Sequence, residues 1–216
     1  IGEIVLYDRN LATWEKDKVE SYMAIKYGNT LTHNYYAGNW NGTTGTTIWT
    51  VGGGYDNGVA GIGRDDCQAL NQKQSKSVNP GFQPVIGNAS QLAATNALHS
   101  GNFGADQSFL LWGGNSGAAT LGAPYAFGGM SHRITRIWKV QENGTVGMVK
   151  VGVLKSDFPG SASAIHLLVS SDATFDNSDT KIAMNLETVD GIEYYTANAD
   201  FTTTQHFTFG AYVTAP

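Results

Sequence analysis

Asp172, Asp176 and Asp179, with Ser170, Ser171 and Asn177 among them, gather acidic, hydroxyl and amide oxygens within ten residues. Calcium takes roughly six to eight hard oxygen ligands, so the three aspartates are candidate calcium ligands. The order of residues is not that of an EF-hand loop. Asx-rich turns between strands have the same composition without any metal. A second group is aromatic: Trp40, Trp49 and Tyr55, with Tyr35 and Tyr36, lie in a glycine-rich stretch. Exposed aromatic faces stack on sugar rings, which makes Trp40, Trp49 and Tyr55 candidate glycan contacts. The competing role is packing, because Trp and Tyr bury large areas while keeping one polar tip wet.

Other reactive residue types are present without a reactive spacing. Arg64, Asp65 and Asp66 are adjacent, and neighbours on a strand point to opposite faces, so an ion pair or a turn cap is favoured over a shared metal. His33, His99, His132, His166 and His206 show neither H-x-H nor H-E-x-x-H spacing, so a zinc site would have to be assembled by folding. No G-x-S-x-G elbow occurs. Val51-Gly-Gly-Gly-Tyr55 lacks the lysine of a phosphate loop and reads as a turn. Cys67 is the single cysteine; it is expected to be a small buried apolar residue, and it excludes an intramolecular disulfide.

The elements that must position these residues follow from composition and periodicity. The chain has 216 residues, 41% of them hydrophobic, enough to bury a core. Charged residues make up only 14%, and 27 glycines serve many tight turns, a balance that suits a secreted all-β domain. A net charge of -5, with 13 Lys and Arg scattered along the chain, argues against a nucleic-acid partner. No stretch approaches the roughly 20 apolar residues of a membrane-spanning helix, so membrane insertion is not expected.

Ile1 to Tyr7 reads as a strand entered from a larger protein. A helix is predicted from Trp14 to Tyr27, with Thr13 as N-cap, Glu15 in the first turn and Gly28 as the left-handed stop. Val19, Tyr22, Met23 and Lys26 form its expected docking face. Eleven strands are predicted after it: Thr46–Val51, Val59–Gly63, Gln72–Val78, Pro84–Gly87, Ser108–Trp112, Arg133–Gln141, Val146–Leu154, Ile165–Ser171, Lys181–Leu186, Glu193–Ala199 and His206–Tyr212. Gln72 to Ser77 alternates like an exposed strand, and Asn143-Gly144 carries the signal of a type I′ hairpin. A helical turn is expected near Gln91 to Leu98, and 113–129 reads as a long irregular loop.

Ile4-Val-Leu-Tyr-Asp-Arg-Asn-Leu11 followed by Lys18-Val-Glu-Ser-Tyr-Met-Ala-Ile-Lys-Tyr-Gly28 resembles the last strand and trailing helix of a laminin-G-like, concanavalin-type jelly roll. Ile62-Gly-Arg-Asp-Asp66, Leu70 to Ser77, Phe109-Leu-Leu-Trp-Gly113, Arg136 to Glu142, Leu168 to Asp172 and Phe207-Thr-Phe-Gly210 are similar to a domain of unknown function from very large secreted surface proteins of Bacteroidetes-type bacteria. The resemblance implies an extracellular, cell-surface, adhesin-like parent, often exported by type IX secretion, and no functional residues. The expected architecture is a mainly β chain: an antiparallel β-sandwich over 31–216, with a terminal strand and helix over 1–30 packed against it. The expected function is a non-enzymatic structural or adhesion domain whose partners are neighbouring domains of the polypeptide or filament subunits. A carbohydrate-binding module, with no cofactor or with Ca2+, is the alternative.

Overall fold

The computed structural model describes residues 2–38 and 45–213. Among these residues there is one α-helix, α1 (Thr13–Tyr27). The strands are β1 (Tyr35–Ala37), β2 (Thr46–Trp49), β3 (Asn57–Asp65), β4 (Leu70–Gln72), β5 (Gln74–Lys76), β6 (Val85–Asn88), β7 (Phe109–Gly114) and β8 (Leu121–Pro124). They continue with β9 (His132–Ile134), β10 (Trp138–Asn143), β11 (Met148–Leu154), β12 (Ala162–Ser170), β13 (Thr180–Ala183), β14 (Asn185–Val189), β15 (Ile192–Asp200) and β16 (His206–Val213). Each of the eleven predicted strands overlaps an observed one, but Gln72–Val78, Arg133–Gln141 and Lys181–Leu186 each run across two, the last across β13 of one sheet and β14 of the other. Residues 2–12 form no strand, residues 91–98 form no helix, and the predicted irregular loop contains β8.

The strands form an antiparallel sandwich. The larger sheet has the order β13-β12-β16-β10-β7-β3-β4, with β9 pairing β16 and β8. The smaller sheet has the order β14-β15-β11-β6-β5. Between them lies the main core. Ile62, Leu110, Trp112, Trp138, Val140 and Phe209 of the large sheet meet Ile86, Val149, Val151 and Val153 of the small one. Trp138 stacks on Phe207 with ring centroids 5.6 Å apart and planes 15° apart.

The opposite face of β7 and β3 is equally apolar. Phe109, Leu111 and Val59 point away from the sandwich core and join Ala24 and Ile25 of α1, Tyr35 of β1 and Ile48 and Trp49 of β2. All six residues of β7 are buried. A helix and a two-stranded β1–β2 sheet therefore form a third layer over a strand whose two faces both avoid water.

The helix begins one residue early: Ala12, and not Thr13, is the N-cap. Ala12 has no capping side chain, and Glu15 supplies the reciprocal half of a capping box by accepting the Ala12 N–H at 2.8 Å. The buried face is Glu15, Lys18, Ser21, Ala24 and Ile25, rotated from the expected Val19, Tyr22, Met23 and Lys26. The rotation follows from what lies beneath, since β1 offers α1 a backbone edge as well as apolar side chains. Ser21 Oγ accepts the Tyr36 N–H at 2.9 Å, and Lys18 Nζ donates to the Gly38 carbonyl at 3.2 Å. A polar helix face thus closes an edge that would otherwise be open.

Two connections differ from the sequence reading. Gln72–Val78 is not one exposed strand: β4 pairs β3 in the large sheet, and β5 pairs β6 in the small one. The chain changes sheet at Lys73, whose N–H donates to Asn96 Oδ1 at 2.6 Å instead of a strand. Asn143-Gly144 does not join a hairpin either, because β10 pairs β7 and β16 while β11 pairs β15 and β6. Gly144 is at φ 71°, and Asn143 Nδ2 donates to the Gln107 carbonyl at 3.0 Å. The turn thus ties to the segment before β7 while the chain crosses the core.

Gly28, at φ 69°, ends α1, and a Cβ there would lie 2.2 Å from the Lys76 carbonyl oxygen. Gly28→Ala is expected to destabilise by more than the roughly 1–2 kcal/mol of left-handed strain alone. Gly53→Ala, with nothing within 4 Å of the added carbon, is expected to stay within about 0.5 kcal/mol of the parent. Urea unfolding of both variants measures the difference.

Candidate functional site

Residues 2–11 run back along α1. Near the end of the helix, Lys26 Nζ donates to Glu3 Oε2 at 2.8 Å, and Tyr27 Oη donates to the same oxygen at 3.1 Å. At its start, Arg9 grips Glu15 with two nitrogens at 2.7 and 2.5 Å. Six residues of near-extended chain reach about 20 Å. Eleven residues of helix rise about 16 Å. The two ion pairs are therefore compatible with an antiparallel strap. This strap explains why Tyr22 and Lys26 are not on the docking face: they hold Glu3.

A groove of about 700 Å3 opens between the strap, α1 and the turn after β3. Tyr7, Trp14, Val19 and Tyr22 supply apolar wall, and Cys67 and Gln68 close one side. The charges in the groove are already matched within the chain, Glu3 with Lys26 and Arg9 with Glu15. Sequence reading missed this site. The only signal was the reversed order of opposite charges, Glu3 and Arg9 before Glu15 and Lys26, across a segment read as an isolated strand.

Beneath the groove lies a second polar centre. Asp65 ends β3 fully buried, and its carboxylate accepts the Gly38 N–H at 2.8 Å, the Cys67 N–H at 3.0 Å and Gln68 Nε2 at 2.9 Å. Lys18 is buried too. Desolvation pushes its ammonium below the ordinary lysine value, while the charges of Cys67 and Asp65 act in the opposite sense. Asp66 turns outward and pairs with Arg64 at 2.6 and 2.7 Å. The adjacent aspartates thus serve a turn cap and an ion pair. Cys67 is exposed, contrary to its expected burial, because it sits in a short 3-10 turn, Asp66–Gln68, outside either sheet.

The residues singled out as ligands do not converge. Trp49 on β2 is 2% exposed and packs under α1, so its ring faces protein and not solvent. Tyr55 is half-buried between the layer under α1 and a smaller cluster around Tyr125 and Phe175, with its ring 5.1 Å from that of His206. Burial pushes the Tyr55 phenol up and, with Lys139, the His206 imidazole down. Trp40 lies outside the described residues.

Asp172, Asp176 and Asp179 turn their oxygens onto the loop itself. Asp172 Oδ1 accepts the Thr174 N–H at 2.6 Å, Asp176 Oδ1 accepts the Ser178 N–H at 2.7 Å, and Asp179 Oδ2 accepts the Asp176 N–H at 2.7 Å. The first two are Asx-type turns, and the third closes the same loop from its far side. The three carboxylates are not within reach of one common ion among the described residues.

Glu15 couples the groove to stability. Its hydrogen bonds from Arg9, then from the Ala12 N–H, hold its carboxyl at about 2, below the ordinary 4.5. A depressed carboxyl stabilises the fold fully above its unfolded value and loses that contribution as the pH falls through the folded one. Thermal midpoints of the parent and of Glu15→Gln should therefore differ most above about pH 4.5 and converge toward pH 2. A gap independent of pH would show that the Arg9–Glu15 pair carries no weight.

Comparison with curated proteins and with solved structures finds no match. A family model described as a domain of unknown function, DUF8202, matches residues 15–205, from the first turn of α1 to the residue before β16. Nearly the whole sandwich and its helical cover lie within the match, and the chain belongs to that family.

Proposed function

We propose that this chain is a non-catalytic structural and adhesion domain of a large extracellular bacterial surface protein, reached by type IX export. The sequence resemblance supports the setting. The observation that carries the reading is the outward side of the strap. Ile4 is 67% and Leu6 88% exposed, and both precede the family-matched region. Large apolar side chains placed together on a surface favour cover by another unit. Neighbouring domains of the same polypeptide, including a jelly-roll-like unit to which the strap would add a strand, supply that cover. Buried Asp65, for its part, is committed to holding backbone and a neighbouring amide in place.

A carbohydrate-binding module is the second reading, favoured by one observation. The groove presents Tyr7, Trp14 and Tyr22 beside charges that are already paired, a surface suited to an uncharged ligand with an apolar face. The sugar platform in this reading is the groove between the strap and α1 in place of Trp40, Trp49 and Tyr55.

In the parent protein, replacing Ile4 and Leu6 together by serine is expected to leave the domain's melting midpoint unchanged and to open the junction before α1 to protease. Unaltered cleavage at that junction would sink the structural reading. Binding on a glycan array that disappears in Trp14→Ala would establish the second reading instead.

A further inference from the structure

Asp17 and Glu20 are three residues apart on α1, so their carboxylates share one face of the helix. After Gly28 the chain doubles back toward β1 and brings His33 beside them. One ligand atom from each of Asp17, Glu20 and His33 lies within 4.8 Å of the other two. Histidines without any zinc-like spacing in the sequence are here given one by the fold.

The protons on His33 make the arrangement informative. His33 Nδ1 is 2.9 Å from the Asn34 carbonyl oxygen, which can only accept, so Nδ1 carries a hydrogen. In the neutral ring Nε2 then presents a lone pair, and it lies 2.6 Å from Glu20 Oε2, a second acceptor. At that distance a proton bridges the two, giving an imidazolium–carboxylate ion pair; a zinc ion that replaced the proton, with both atoms at about 2.0–2.2 Å, would part them by less than about 1 Å. Asp17 adds another carboxylate at the same point.

The supporting contacts hold these ligands in place. Asn34 Oδ1 accepts the Val51 N–H at 2.9 Å, which anchors the residue whose carbonyl orients His33. Ser21 Oγ donates to the Asp17 carbonyl at 2.6 Å and accepts the Tyr36 N–H at 2.9 Å, joining the helical turn of Asp17 to the strand that follows His33. A carbonyl that fixes the tautomer of a histidine is the outer contact that metal-binding histidines commonly have.

We propose that Asp17, Glu20 and His33 bind one divalent transition-metal ion, with Zn2+ the best match, clamping α1 to the segment that leads into β1. One imidazole nitrogen and two carboxylate oxygens suit zinc at about 2.0–2.2 Å, and three protein ligands leave one tetrahedral position for solvent or a partner's side chain. The imidazole disfavours Ca2+ and Mg2+, which prefer oxygen. This site is distinct from the expected calcium loop at Asp172, Asp176 and Asp179.

The test is calorimetric titration of ZnCl2 into the chelator-treated whole chain in a non-coordinating buffer. One ion should bind per chain, and the melting midpoint should rise with zinc. His33→Ala and Glu20→Gln should each weaken binding by on the order of 10-fold or more. His166→Ala, on β12, should leave it unchanged. If His33→Ala does not fold, Glu20→Gln decides. Absence of stoichiometric binding, equal affinity for Ca2+ or Mg2+, or unchanged zinc affinity in Glu20→Gln would overturn the proposal.

Discussion

The structure is organised by β7, whose Phe109-Leu-Leu-Trp112 run cannot show either face to water. Burying one such side chain is worth roughly 1.5–3 kcal/mol. Trp112 and Leu110 face the small sheet, while Phe109 and Leu111 face α1 and β1–β2. A two-layer sandwich alone would leave half of that run exposed. The N-terminal cover is thus as much a requirement of β7 as the second sheet is. Glycines allow the close fit: a Cβ on Gly63 would come 2.0 Å from Phe109 Cδ1, and one on Gly113 would come 2.1 Å from the Tyr55 carbonyl oxygen.

That cover is fastened by polar groups as well as apolar ones, because the buried face of α1 carries Glu15, Lys18 and Ser21 beside Ala24 and Ile25. Ser21, Lys18 and Asp65 bond backbone atoms of the segment 36–38. Burying charge costs several kcal/mol unless each ion is well bonded, and Asp65 receives three donors. The same economy holds the loop before β7. Gln74 donates to the Ala93 carbonyl at 2.7 Å and accepts the Ala93 N–H at 2.8 Å, so one side-chain amide stands in for a missing strand.

Local structure was legible where one element sufficed to specify it. The helix and its Gly28 stop follow from spacing and capping, and the buried alternation of Val149, Val151 and Val153 appears as read. Partnership was not legible. Asn143-Gly144 has the residues of a tight turn, but Gln107 and the demands of two sheets decide where its flanks go. The short polar strands β4 and β5 are separated by an amide from Asn96, 23 residues away. Two of the candidate site groups are engaged within the protein for a similar reason. Trp49 has an ideal stacking ring, yet the layer above β7 needs it for packing. Asp172, Asp176 and Asp179 have suitable oxygens, yet their own loop uses them. Asp17, Glu20 and His33 meet because the chain beyond the Gly28 stop doubles back toward β1, and that return path, unlike the stop itself, is set by tertiary packing.

The position of β16 governs how such a chain reaches its folded form. The last strand of the sequence lies between β12 and β10, in the interior of the large sheet. A polypeptide still emerging from a ribosome would hold two raw, adhesive borders where β16 belongs. Cooperative collapse of the large sheet must therefore await β16, and long-range pairing of this kind is slow. Zippering of the large sheet around β16 suits this topology better than stepwise growth from the first strand.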